Sequence, residues 1–486
     1  MKRYKHGLSN YQLTTCKMGQ LIPVGLLEVL PGDTVQQSTS ALIRVAPMVT
    51  PTMHPVQVRF HHFYVPNRII LDTWEDFITG GPQNDDPITL PTQTSSATPK
   101  TLSDHLGVPP VDGLQYSLLP TYAFNKIYNE YYRDQDLQAE RSQNDNSIPL
   151  IAWGKDRFTG ARPWPQKGPA ITIPITGNAP VISTNQGGPT FKFQGGESDI
   201  GLKSENSGNQ DTAKWSTSVL DFDNNAEWDR TDLEADLSNL DAVDIRDFRK
   251  AFALQRYSEA RARYGSRYTE YLRYIGVRSS DARLQRPEFL GGGKSTIAFS
   301  EVLNTTSSID AEPTLDDLGH MAGHGIVGVK SNKYRRFFEE HGFVISLMSI
   351  RPKIIYANGL DKKFSRVVKE DYYQAELAQI GQQEVFENEI RADADTGNTI
   401  FGYTDRYSEY KGQESRVSSE FRDTINYWHL AREFATAPVL NEAFIQCNPS
   451  DRIFADQTGT DQFWCMINHK ITARRMVPTS PASRII

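Results

Sequence analysis

Arg249, Arg256 and Arg263 recur every seventh residue, so on a helix they stand in one column. Tyr257 and Tyr264 flank that column on one side, and Phe248 and Phe252 on the other. Arginine beside tyrosine suits contact with single-stranded nucleic acid, because a guanidinium fork matches phosphate oxygens and an aromatic face takes a stacked base. The same column also suits pairing with acids of its own fold or of a neighbouring subunit. Spacing alone leaves both open.

No other constellation supports catalysis. Gly291-Gly292-Gly293-Lys294-Ser295 has the end of a phosphate loop, but the motif needs a glycine five residues before Gly293, and that position is Glu288. The preceding residues, RLQRPEFL, do not form a buried strand either, so a flexible loop is expected. His320 and His324 are four apart, yet no glutamate lies between them and glycines surround them, which argues against a helical metal pair. His61 and His62 are neighbours in a strand-like run and point to opposite faces. Cys16, Cys447 and Cys465 are odd in number, scattered, and outside any catalytic signature, as expected of free thiols in a reducing compartment. The expectation is no catalytic residue, no metal site and no cofactor.

The net charge of the 486 residues is −7, which announces no nucleic-acid binder. Charge is nevertheless sorted by segment. Asp211 to Asp247 is acidic, whereas Arg246 to Arg286, the start MKRYKHG and the end HKITARRMVPTSPASRII are basic. Lys2, Arg3, Lys5, Arg267, Arg474 and Arg475 therefore join the arginine column as candidates for nucleic-acid or subunit contact. No apolar run reaches the length of a membrane span and no signal-type segment opens the chain, so a soluble, unsecreted product is expected.

These residues must be carried by elements that the hydrophobic pattern reveals. Residues 1–20 read as a basic extended arm. Between 21 and 167, apolar runs broken by turns and long loops read as the first part of a β core. Val56–Val65 alternates Val56, Val58, Phe60, His62 and Tyr64 against Gln57, Arg59, His61, Phe63 and Val65; both sets are partly apolar, which predicts burial between layers. Thr121 is placed to cap a helix with the stripe Phe124, Ile127, Tyr128 and Tyr131. Residues 168–240 form a polar, then acidic insertion, read as a projecting module carrying Trp215 and Trp228. From 241 to 486 come a helix pair, the glycine run and more core. His341–Tyr356 is strongly apolar, Phe421–Phe434 reads as helical, and Phe463–Val477 closes the chain with Phe463, Cys465, Ile467, His469, Ile471 and Ala473 on one face.

Several stretches in order carry a resemblance: MGQLIPVGLLEVLPGDT, FYVPNRIILDTWEDF, LPTYAFNKIYNEYYRDQ, RPWPQKGP, GSRYTEYLRYIGVRSSDARLQRPEFLGGGKSTI, FFEEHGFVISLMSIRPKIIY, FGYTDRYSEYK and FRDTINYWHLAREF. Together they resemble the major capsid protein of the Microviridae, tailless bacteriophages with circular single-stranded DNA. The polar insertion after PWPQKG is similar to that of the gokushovirus-like branch, where it protrudes at the capsid threefold axes.

The resemblance implies a mainly β chain, an eight-stranded antiparallel jelly roll with large loop insertions containing a few helices. It implies many copies in a T=1 icosahedral shell around single-stranded DNA. It also implies an internal scaffolding protein, a DNA pilot protein, a small basic DNA-binding protein and a host cell-surface receptor as partners. The expected location is the virion, with assembly in the host bacterial cytoplasm and no membrane insertion. A glycan-binding β-sandwich surface protein is the alternative from another class.

Overall fold

The computed structural model describes residues 3–79, 88–169, 171, short strands between 181 and 235, 245–264, 270, 273–274, 285–303, 305, 321–392 and 399–479. The chain divides into two units, Met1–Lys167 with Glu259–Ile486, and Gly168–Ser258.

In the first unit, besides the two-stranded pairs Thr92–Thr94 with Gln115–Ser117 and Gln382–Phe386 with Ile400–Asp405, the main strands are β1 Tyr4–Gly7, β2 Asn10–Cys16, β3 Leu21–Val29, β4 Thr34–Val45, β5 Val56–Pro66, β6 Glu288–Thr296, β7 Ala298–Leu303, β8 Met321–Lys330, β9 Tyr334–Phe337, β10 Gly342–Pro352 and β11 Phe463–Arg475. These main strands pair antiparallel into two sheets. Sheet one has seven strands, with β1 and β2 on β11, then β4, β8 and β7, and β9 continuing along β4. Sheet two is β6-β5-β10-β3. Numbering the eight long core strands β2, β3, β4, β5, β6, β8, β10 and β11 from one to eight, sheet one reads 1-8-3-6 and sheet two 2-7-4-5. That wiring is a jelly roll.

Period-two alternation builds the core. Ile22 and Val24, Ile43 and Val45, Val56, Val58 and Phe60, Met348 and Ile350, and Phe463, Cys465 and Ile467 meet between the sheets. Phe63 and Val65 of β5 face the other way, under Phe124 and Ile127 of helix α1, Leu119–Tyr131. Both faces of β5 are thus buried, as its alternation predicts. Phe60 is fully buried at the centre of the sandwich. Phe60→Ala should cost about 3–5 kcal/mol, read as a lower denaturant midpoint at unchanged slope.

A polar layer crosses this core. His469 Nε2 lies 2.6 Å from the Val24 carbonyl, which only accepts, so Nε2 carries the proton and Nδ1 accepts from Thr39 Oγ1 at 2.8 Å. His62 Nδ1 meets Ser346 Oγ at 2.8 Å, Gln37 Nε2 donates to the same hydroxyl at 3.1 Å, and Tyr334 donates to Gln37 Oε1 at 2.7 Å. Gly25 makes room for the ring, since a Cβ there would stand 2.6 Å from His469 Nε2.

Four expectations need correction. Gly291–Gly293 is no loop but the middle of strand β6, paired to His62, His61 and Phe60. A Cβ at Gly292 would fall 2.1 Å from the Phe60 carbonyl, and one at Gly293 2.5 Å from that of Lys330. The glycines serve close backbone approach rather than flexibility. Tyr4–Gly7 and Asn10–Cys16 are strands on β11, not a free arm, and their pairing closes an edge that β11 would otherwise expose. Helix α1 starts at Leu119, with Pro120 in its first turn and Thr121 buried inside it. Phe421–Phe434 is not a helix; only the 3-10 turns Ser419–Arg422 and Asn426–Trp428 form there.

The second unit contains a four-stranded sheet, Asp211–Trp215, Ile200–Asn206, Thr190–Phe193 and Ala226–Trp228 in that order, and a pair, Val181–Ser183 with Leu233–Ala235. Helix α2, Ile245–Tyr264, follows.

Candidate nucleic-acid interface

The alternation that buries one face of sheet one turns the other face to solvent. Along β4 the outward residues are Thr34, Gln36, Ser38, Ser40, Leu42 and Arg44, and along β11 Trp464, Met466, Asn468, Lys470, Thr472 and Arg474. The register sets them side by side. Trp464 lies opposite Arg44 and Met466 opposite Leu42, Leu13 opposite Met466, Ile326 opposite Arg44 and Lys330 opposite Ser40, and Lys5 opposite Arg474. The centre of this face is apolar and aromatic, and strongly exposed: Leu13 is 72% accessible, Trp464 49% and Met466 47%. A groove of about 750 Å³ runs along it, lined by Leu13, Leu42, Arg44, Trp464, Met466 and His105. His105 takes part in a 3.0 Å hydrogen bond with Thr14 Oγ1, and burial holds its pKa below the usual value against the pull of Asp104 and Asp461.

Charge on these strands is lopsided. The seven strands of sheet one carry eight lysines and arginines against one acid, Glu301, a formal +7. The four strands of sheet two carry three cations and two acids. Among the described residues, Lys5, Arg44, Lys330, Arg335, Lys470 and Arg474 make no ion pair. An unpaired basic sheet face with interleaved aromatic and aliphatic side chains is suited to a polyanion with stacking faces.

The family model described as Capsid protein (F protein) matches residues 1–485. The chain belongs to that capsid family. It is 33% identical over 466 residues to "Capsid protein VP1" of Bdellovibrio phage phiMH2K, covering 89% of this chain and 86% of that one. It is 32% identical over 549 residues to "Capsid protein VP1" of Chlamydia phage 1, at 94% and 91% coverage. Over 493 residues it is 28% identical to "Capsid protein VP1" of Spiroplasma virus 4, at 91% and 87% coverage. Membership places the chain in the first of the two classes weighed from sequence. It is a structural capsid protein of a virion, a subunit of an oligomeric shell and not an enzyme.

The cations singled out in this capsid chain by sequence fall in different places. Lys5 and Arg474 stand together on the open face. Arg3 donates to the Gly32 carbonyl at 3.1 Å and to Thr34 Oγ1 at 3.2 Å, and lies over the Phe337 ring. Arg475 is held by Asp33 at 2.9 Å and donates to the Glu28 carbonyl at 2.7 Å. Both are occupied with the β3–β4 turn. On α2, Arg263 pairs with Asp405 at 2.8 Å, whereas Arg249 and Arg256 are exposed, with no ion-pair partner among the described residues. Lys2 and Arg267 lie outside the described residues, as does His320. Trp215 and Trp228 end the strands Asp211–Trp215 and Ala226–Trp228, and their side chains too are outside the description.

Arg44, Lys330, Lys470 and Trp464 were not singled out by sequence. The signal that finds them is the complement of the alternation that reveals the core: in Phe463–Arg475 the residues skipped by the apolar face are the functional candidates. Among the described residues no group of three or more His, Cys, Asp or Glu is arranged to hold a metal, and no helix is long and apolar enough to cross a membrane.

Proposed function

We propose that this capsid protein assembles into a small T=1 icosahedral shell enclosing circular single-stranded DNA, with the open face of sheet one against the packaged strand. One observation carries the DNA reading: a broad sheet face whose strands carry six cations with no ion pair among the described residues, exposed Trp464 and a single acid, Glu301. Phosphates would neutralise the cations without sequence preference. Bases would stack on Trp464 and on Tyr11, which is exposed on β2 opposite the outward Asn468, each contact contributing about 1–3 kcal/mol. Weak contacts between subunits suffice, because a closed symmetric shell sums them.

The resemblance supplies the rest of this reading. The 168–240 insertion is the outward surface that meets a host cell-surface receptor. Assembly in the host bacterial cytoplasm uses an internal scaffolding protein, with a DNA pilot protein and a small basic DNA-binding protein as further partners. The test is negative-stain microscopy of the chain co-expressed with its scaffold. Uniform small shells are expected, and monomers under every condition would refute the proposal.

A further inference from the structure

Away from sheet one, the outer face of sheet two ends in a second cationic feature. Arg59 of β5 and Arg351 of β10 are diagonal neighbours, since Gln57 lies opposite Arg351 and Arg59 opposite Ser349. Both line a cavity of about 300 Å³, with Lys353 and Tyr356 further along its wall. Neither guanidinium makes an ion pair among the described residues. Arg59 donates to Gln57 Oε1 at 3.1 Å, and its buried Nε has no partner. Arg351 donates to the Ala152 carbonyl at 2.9 Å.

The acids lining this cavity are engaged elsewhere. Asp156 Oδ1 accepts the backbone N–H groups of Phe158 and Thr159 and the Thr159 hydroxyl, and Oδ2 accepts from the Tyr356 hydroxyl at 2.9 Å. Glu414 sits 3.6 Å from Arg157. Lys155, also on the wall, is paired with Asp134 at 3.5 Å. Two like charges are therefore half-buried side by side with donors to spare, an arrangement that is costly unless an anion joins them. Burial, and after it the neighbouring Arg59, lowers the Arg351 pKa.

We propose that Arg59 and Arg351 form a binding site for one phosphate-type oxyanion, either free phosphate or a phosphodiester of nucleic acid. The cavity is large enough to admit a tetrahedral oxyanion, and paired guanidinium forks recognise phosphate oxygens by geometry as well as charge. This site stands apart from the basic face of sheet one and does not depend on that face meeting DNA.

Isothermal titration of the purified full chain with sodium phosphate, against sodium chloride at matched ionic strength, tests the proposal. Saturable binding is expected with phosphate alone. Arg59→Gln and Arg351→Gln should each weaken it about tenfold or more, while Lys369→Gln, at an exposed side chain that does not line the cavity, leaves it unchanged. Displacement of phosphate by oligodeoxythymidylate would identify the nucleic-acid backbone as the source of the anion, and failure to displace would identify free phosphate. If a glutamine variant does not fold, Arg59→Lys decides, because it keeps the charge and removes the fork. Absence of saturable phosphate binding, or unchanged affinity in the variants that fold, overturns the proposal.

Discussion

Particles assembled from Arg44→Gln, Lys470→Gln, Arg474→Gln chains should form at normal size and carry less DNA. All three side chains point outward from sheet one, and none makes an ion pair among the described residues. Their loss therefore leaves the sandwich packing and its hydrogen bonds intact. If the proposed interface holds, each substitution removes one phosphate contact, so the salt dependence of single-strand binding should flatten by roughly 2 in log–log slope. The readout is the ratio of absorbance at nucleic-acid and protein wavelengths in purified particles, with binding of a single-stranded oligonucleotide measured across a salt series. Trp464→Ala should act differently, weakening binding with little change in salt slope, because stacking releases no counterions. Unaltered DNA content and slope in the triple variant would remove sheet one from the interface.

The sandwich was legible because its strands obey period two over long runs. Val56–Pro66 and Phe463–Arg475 each show an inward apolar set and keep it in the structure. Where tertiary contact overrides local pattern, the reading failed. The glycine run of β6 looks like a hinge until a neighbouring carbonyl is found 2.1 Å from where a Cβ would be. Phe421–Phe434 has helical spacing, but its course is set by distant partners: Arg432 lies 4.2 Å from the Phe444 ring centre and 4.9 Å from that of Phe434, and Arg452 binds the Ala431 carbonyl at 2.8 Å. The basic face of sheet one was hard to see for another reason. Lys5, Arg44, Lys330 and Lys470 are dispersed along the whole chain, and only the pairing of β1, β4, β8 and β11 gathers them. A clustered motif such as the arginine column attracts attention first, although one of its members, Arg263, is engaged with Asp405.

Acid should destabilise this subunit steeply between about pH 6.5 and pH 4. Burial is the leading cause in each histidine concerned. It lowers the pKa of His62 to about 3, with His469 and His61 adding to the effect, and those of His54 and His61 to about 4. A histidine depressed in the folded state binds fewer protons there than in the unfolded chain. Its contribution is therefore complete above the unfolded pKa of about 6.5 and is lost as pH falls towards the folded value, at about 1.4 kcal/mol per pH unit for each site. Glu414 opposes this. Burial raises its pKa to about 7 against the pull of Arg157, so its contribution is complete below about pH 4.5 and is lost as pH rises through 7. Three histidines against one glutamate still leave a net loss of about 5 kcal/mol by pH 4.5, the scale of a whole domain's stability. His62→Leu isolates the contribution of the fully buried ring. Ser346 Oγ still accepts from Gln37 in that variant. Urea unfolding of the purified chain at several pH values should show the variant's stability falling less steeply, by about 1.4 kcal/mol per pH unit. Parallel curves for the two proteins would mean that the His62 ring takes up its proton without opening the sandwich.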